Sequence, residues 1–326
     1  MKLVALALAL ALAAISGARA QGRKIAISAT ASLASSPMFL AADLGYFREE
    51  GFDVDFKWFD AAQPVAVAVA SGDAQFGITG LGAGLYNMAS GKAIRIIAGG
   101  AREAPGYSTG AYFVSNEAWA KGLRNLENLR GKSFGLTTVG SPYQFSLALL
   151  ADKLGFPLSD ITQVPLQSFT NVLVAIKGQR VDAGLLNSFI ALPAEKRGDG
   201  KIIGWVGDST PWQLSAVLTS TELATKQPET VARFLRAYRK GAATFHDAFM
   251  AKGANTQAQR DALLPILEKY SRLEREQVVV SLNYVERDGA LDVEDVKRQI
   301  AVWKRMGMVN ADITAEMALD PALLAK

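Results

Sequence analysis

From Lys24 onward, short apolar runs of strand length alternate with amphipathic stretches of helical length. No other feature constrains the fold as strongly, because helices set between strands favour parallel βαβ units and an open α/β sheet. Strands are predicted at Lys24–Ser28, Asp53–Trp58, Ala74–Gly77 and Ile94–Gly100, with helices near Met38–Phe47, Val65–Ser71 and Leu81–Ser90. A second series opens at Leu129-Arg130-Gly131-Lys132. It runs through a strand at Ser133–Leu136, a helix at Pro142–Lys153, a strand at Ile161–Pro165, a helix at Thr170–Lys177 and strands at Val181–Leu186 and Ile202–Val206. The extended stretches Gly110–Ser115 and Leu214–Thr219 flank this block and are the expected crossings between two lobes. Beyond Glu222 the chain reads as helices at Pro228–Ala251, Thr256–Lys269, Arg275–Asp288 and Val293–Met306. Val67–Gly72 followed by Ile78-Thr79, and Val172–Gly178 followed by Leu186-Asn187, form a faint internal echo of helix, glycine stop, strand and polar strand end.

The first twenty residues read as an export segment rather than as part of the fold. Lys2 precedes an apolar run from Leu3 to Ile15, and Ala18-Arg19-Ala20 gives a small-x-small cleavage pattern, so the mature chain is expected to begin at Gln21. The run is too short to span a bilayer, which needs roughly 20 residues. The sequence has no cysteine, so neither lipidation after the cut nor a disulfide framework is expected. The expected product is a free periplasmic monomer held by an ordinary core, which a 50% hydrophobic composition supplies. Net charge is +4, and loss of Lys2 and Arg19 leaves +2. Basic residues are interspersed with acids, which gives nucleic-acid binding no support.

Enzyme chemistry fails largely by inventory. The one histidine, His246, sits mid-helix in Phe245-His246-Asp247, and no G-x-S-x-G elbow accompanies it. Clustered His or Cys ligands for a metal are missing, and no cofactor is expected. Asp53 with Asp55, and Glu49 with Glu50, read as solvent-facing carboxylates rather than a catalytic pair. Gly80-Leu81-Gly82-Ala83-Gly84 places its third glycine one position early for a dinucleotide fingerprint, so a tight turn presenting backbone N–H groups is the better account.

The positive signals are loops at the carboxyl ends of predicted strands, where open α/β sheets hold their ligands. Ser35, Ser36 and Pro37 follow the first strand; Thr79 and Gly80 follow the third; Ser108 and Thr109 precede Gly110; Thr138, Gly140 and Ser141 open a helix. Hydroxyls and free N–H groups at helix starts suit an anion without a fixed cation. Tyr143, Phe169 and Trp212 are the accompanying rings, whereas Phe189 reads as core. Such a cleft fits a small organic anion with an apolar or aromatic body.

At these residues the sequence resembles the nitrate/sulfonate/bicarbonate group of periplasmic binding proteins, which includes relatives that bind aromatic acids or thiamine-precursor pyrimidines. Ser36–Val54 matches its pattern of proline, apolar helix and then Gly45-Tyr46-Phe47-Arg48-Glu49-Glu50-Gly51-Phe52-Asp53-Val54. Ser71-Gly72-Asp73-Ala74-Gln75-Phe76-Gly77, Leu129-Arg130-Gly131-Lys132 with Gly140-Ser141, and Gly178 with Val181-Asp182-Ala183 follow in order. Gln75 replaces the usual acid of the second element, and the last is longer by one residue.

The resemblance implies an α/β, type II periplasmic-binding-protein fold: two α/β lobes joined by two crossing strands. Residues 1–20 would be the signal peptide, 21–110 the first part of lobe 1, 111–215 lobe 2, and 216–326 the return to lobe 1 with the C-terminal helices. Carried over by position, its ligand loops are Ser35-Ser36-Pro37, Thr79-Gly80, Gly140-Ser141 and the strand end at Asn187. It implies a binding protein that hands a small-molecule ligand to an ABC transporter permease in the inner membrane. Sulfonate or aromatic carboxylate leads, with nitrate or a pyrimidine as alternative ligands. A pyrimidine-type enzyme on the same fold and a sensor subunit remain as other classes.

Overall fold

The computed structural model describes residues 22–107, 109–251 and 256–324; the expected export segment and Ser108 lie outside them. The strands are β1 (Arg23–Thr30), β2 (Phe52–Phe59), β3 (Phe76–Gly80), β4 (Ile94–Gly99), β5 (Ala101–Glu103), β6 (Gly110–Val114), β7 (Ser133–Leu136), β8 (Thr162–Pro165), β9 (Ala183–Asn187), β10 (Lys201–Trp205), β11 (Trp212–Gln213), β12 (Ser215–Ser220) and β13 (Tyr284–Val285). They form two five-stranded sheets, ordered β2-β1-β3-β12-β4 and β10-β6-β9-β7-β8, and a three-stranded sheet β11-β5-β13. Parallel pairing holds for β1 with β2 and β3, and for β7 with β8 and β9. Each large sheet is nonetheless mixed, since β12 runs antiparallel to β3 and β4, and β6 antiparallel to β9 and β10. The purely parallel expectation missed this because a chain that leaves one lobe and returns must re-enter each sheet against its neighbours.

The crossings are short. Gly110–Ser115 and Leu214–Thr219 supply β6 and β12, which lie inside the two large sheets, while β5 and β11 make the passage, pairing Glu103 with Trp212 and Arg102 with Gln213. The third hinge strand comes from a stretch expected to be helical. The helix from Arg275 ends at Val280, and Tyr284 and Val285 pair with Arg102 and Ala101. Three consecutive valines hold a helix poorly because β-branching restricts χ1, and a two-residue strand gains its partner only in the folded chain. The helix expected over Met38–Phe47 likewise stops at Asp43, because Gly45 adopts φ 84° before a single turn at Tyr46–Glu49. A helix at Ser188–Lys196, with Pro193 inside it, has no counterpart in the sequence reading.

The C-terminal helices join the lobes. Pro228–Phe249 lays Phe234 against Phe47 and Phe76, with ring centroids 5.0 and 3.6 Å apart. Val293–Arg305 reaches lobe 2, where Trp303 packs on Phe145 at 5.8 Å and Arg305 pairs with Asp152. On another face, Ser281 shares a 2.9 Å hydrogen bond with Ser188. One buried cluster therefore runs through both lobes, containing Leu81 and Ala83 of lobe 1 together with Leu136, Phe145 and Leu185 of lobe 2. Burial of large apolar side chains, about 1.5–3 kcal/mol each, supports the two-lobed body without disulfides.

Candidate functional site

Beyond the carboxyl end of β3 the two lobes touch through backbone. The Ala83 N–H donates to the Gly140 carbonyl at 3.0 Å. A Cβ on Gly82 would lie 2.7 Å from that same carbonyl oxygen, and one on Gly80 would lie 2.7 Å from the Pro142 ring. The Gly-Leu-Gly run is thus required by close approach of the lobes, and the Leu81 and Ala83 N–H groups of this turn donate to the Leu214 and Gly140 carbonyls. Gly140 itself sits at φ 76°, a conformation glycine adopts without penalty.

The helix from Pro142 to Leu154 positions the next group. Ser141 Oγ accepts from the Gln144 N–H at 3.3 Å, and the Gly140 N–H donates to Gln144 Oε1 at 2.6 Å. Thr138 is exposed, and its carbonyl accepts from the Ser141 N–H. With the loop so fixed, the Tyr143 hydroxyl donates to Asn187 Oδ1 at 2.8 Å and lies 3.5 Å from Glu103 Oε1. Phe169 packs edge-on against Tyr143 with centroids 5.6 Å apart.

Glu103 is the centre of this cluster and is fully buried. Its carboxylate accepts from the Thr109 hydroxyl at 2.9 Å, the Thr109 N–H at 3.2 Å and the Gly110 N–H at 3.0 Å. Asn283 donates to Thr109 Oγ1 at 2.9 Å from the segment leading into β13. Burial pushes the Glu103 carboxyl up to about 7, while these donors and Tyr143 pull it down. Tyr143 is in turn raised well above the ordinary tyrosine range, by burial first and then by the Glu103 charge.

Of the residues singled out from sequence, Thr109, Tyr143, Asn187 and Phe169 gather about Glu103. Gly80, Gly140 and Ser141, with Thr138 alongside, form the contact between lobes. Thr79 is buried and donates its hydroxyl to the Ala62 carbonyl at 3.1 Å, tying β3 to the helix Ala62–Ala70. Ser35, Ser36 and Pro37 serve a different packing. Ser36 Oγ donates to the Leu33 carbonyl at 2.7 Å, and Gly241 of the long helix comes so close that a Cβ there would be 2.3 Å from the Pro37 oxygen. Trp212 is a strand residue rather than a loop residue, fully buried and 4.9 Å from Phe145. Glu103, Asn283 and Gln144 carried no usable signal: Glu103 is one acid at the end of a mixed run, and Asn283 fell within the misread helix.

Helices Ala62–Ala70, Ala83–Ser90 and Ser188–Lys196, which follow strand ends, start without a side-chain cap, as do Ser36–Asp43 and the single turn Val206–Ser209. The starts of the first three are linked, since Gln63 flanks Gly84 and Ala83 bonds the loop that leads to Tyr143 and Asn187. Helices at Pro142 and Phe169 are instead capped by Ser141 and Ser168. Among the described residues no group of three or more His, Cys, Asp or Glu side chains is arranged to hold a metal ion. No helix among them is long and apolar enough to cross a membrane.

Two α/β lobes with a short-stranded hinge and a glycine contact across the gap define the periplasmic-binding-protein fold of ABC importer binding proteins. Residues 33–248 match the NMT1/THI5 like family model, and the chain belongs to that family. The match overlaps every stretch on which the nitrate/sulfonate/bicarbonate resemblance rested. No curated protein matches the chain. Among solved structures, the periplasmic aliphatic sulphonate binding protein SsuA from Escherichia coli is similar at TM-score 0.71 and 16% identity, over 91% of this chain and 92% of that one. The alkanesulfonate-binding protein SsuA from Xanthomonas axonopodis pv. citri, bound to MOPS, gives TM-score 0.70 and 18% identity, over 92% and 99%. The periplasmic nitrate-binding protein NrtA from Synechocystis PCC 6803 gives 0.68 and 11%, over 94% and 88%. At these identities the likeness is one of fold.

Proposed function

We propose that the protein is the periplasmic substrate-binding component of an ABC importer, capturing a small organic anion between its lobes without chemical change. Sulfonates and aromatic carboxylates head the class. The observation that carries this reading is that helices at Ala62, Ala83 and Ser188 start after strand ends without a side-chain cap, the last of them directly after Asn187, which bonds the Tyr143 that Phe169 flanks. The first N–H groups of two of these helices, Ala83 and Ser188, already donate to the Gly140 and Thr109 carbonyls. The starts would therefore offer a ligand their positive dipole ends and the N–H groups that follow, and the rings an apolar wall. The export segment at residues 1–20 supports delivery to the periplasm, and with no cysteine in the sequence there is no thiol for a lipid tether. Residues 21–110 with 216–326 would form one lobe and 111–215 the other, and a membrane permease would receive the closed form.

A second reading is a neutral nitrogen heterocycle such as a pyrimidine. The Glu103–Tyr143–Asn187 chain favours it, because a buried acid beside an amide suits ring N–H donors. Thermal-shift measurements against sulfonates, aromatic acids, nitrate and pyrimidines separate the two. Anions are expected to raise Tm. A rise with neutral heterocycles alone would remove the anion reading, and turnover of any panel member would remove the non-catalytic one.

A further inference from the structure

A cavity lies outside the cluster around Glu103 and shares no residue with it. It measures about 320 Å³ and is walled by Tyr107, Phe249, Arg260, Leu264, Val280 and Leu282. That volume is at the lower end of the range for small-molecule sites. Phe249 and Leu264 are 5% and 4% exposed and form its apolar depth, whereas Val279 and Val280 leave about half their surface, 51% and 50%, uncovered. These two adjacent valines, half open to solvent, line the cavity beside the buried side chains.

Arg260 is the cation of this cavity. Its Nε–H donates to the Ala248 carbonyl at 2.7 Å and a second N–H to the Phe249 carbonyl at 3.4 Å, which pins the guanidinium to the end of the long Pro228–Phe249 helix. A guanidinium has five N–H donors, so three remain after these two bonds. Those carbonyls are its only hydrogen-bond partners among the described residues. Capping a helix end accounts for part of the side chain; the remaining fork fits a carboxylate or sulfonate, for which guanidinium geometry is matched.

We infer that this cavity is a second binding site, taking a small monoanion with a short aliphatic body: the head group on Arg260 and the chain against Phe249, Leu264 and Val280. The inference stands apart from the reading of the cleft, since none of its residues contributes there.

The test uses the full chain, isotopically labelled, titrated with hexanoate and separately with 1-hexanol while two-dimensional NMR spectra are recorded. Saturable shifts are expected at Val279, Val280, Leu264 and the Arg260 Nε–H, with 1-hexanol at least tenfold weaker. Arg260→Gln is expected to weaken hexanoate at least tenfold. Val280→Trp, which fills the cavity and leaves the cap intact, is expected to abolish the shifts and guards against a cap-damaged Arg260→Gln. Hexanoate shifts confined to the signals of Tyr143 and Asn187, equal binding of 1-hexanol, or native affinity in Val280→Trp would each overturn the site. Because the readout is residue by residue, a failure of the cleft reading leaves it unaffected.

Discussion

The Tyr143 hydroxyl donates to Asn187 Oδ1 at 2.8 Å, joining the first turn of the Pro142–Leu154 helix to the end of β9. The bond fixes the ring that Phe169 flanks and sets it 3.5 Å from the buried Glu103 carboxylate. Tyr143→Phe removes the hydroxyl and leaves Asn187 short of a partner. A loss of about 1–2 kcal/mol is expected in urea unfolding. Calorimetric titration should show a larger drop in affinity for the cleft ligand than for hexanoate at Arg260.

Glu103 makes stability depend on pH in a defined direction. Its folded-state value of about 7 lies above the ordinary 4.5, so between these limits the folded chain holds a proton that the unfolded chain releases. The extra stability is fully present below about pH 4.5 and declines as pH rises towards 7. The decline is on the order of 3 kcal/mol, taking roughly 1.4 kcal/mol per unit. Urea unfolding at intervals from pH 4.5 to 8 should show this slope in the native chain and not in Glu103→Gln. An anionic ligand near this carboxyl should also bind more tightly as pH falls through 7.

Gly82→Ala tests the contact between lobes. The new Cβ would meet the Gly140 oxygen at 2.7 Å, while φ of −110° at Gly82 suits any residue. The penalty therefore falls on the approach of the lobes and not on the local backbone. Small-angle scattering should show a larger radius of gyration, and ligand affinity should fall tenfold or more with far-ultraviolet circular dichroism unchanged.

Gly241→Ala separates packing from binding at Ser35-Ser36-Pro37. Here the Cβ would sit 2.3 Å from the Pro37 oxygen and 2.8 Å from Ala41 Cβ. A destabilisation of about 1–3 kcal/mol is expected from overpacking, with unchanged affinity per folded molecule. Weakened binding at full folding would return the serine-proline turn to the ligand site.

How legible each part was follows from where its cause lies along the chain. The strands β1 and β7 and the helix from Pro142 could be read because apolar spacing and a serine cap are local signals. Trp212 could not, since it packs on Phe145 of a distant helix, which is itself packed on Trp303 of another. The run Gly80-Leu81-Gly82 was visible as unusual, yet its reason is the Gly140 carbonyl of the other lobe. Tyr143 and Asn187 were singled out separately, but Glu103, which brings them together, is an unremarkable acid until the Thr109 and Gly110 amides fold around it.

The bond from the Ala83 N–H to the Gly140 carbonyl is main chain to main chain. Few changes of side chain reach it: bulk at Gly80, Gly82 or Gly140 obstructs it, and only proline at Ala83 removes its donor. On the function proposed above, mutational drift would be free to rewrite the rings and hydroxyls that choose a ligand while this backbone contact between the lobes stays in place. A protein built this way can acquire a new cargo by substitution in one place without relearning how to shut in another.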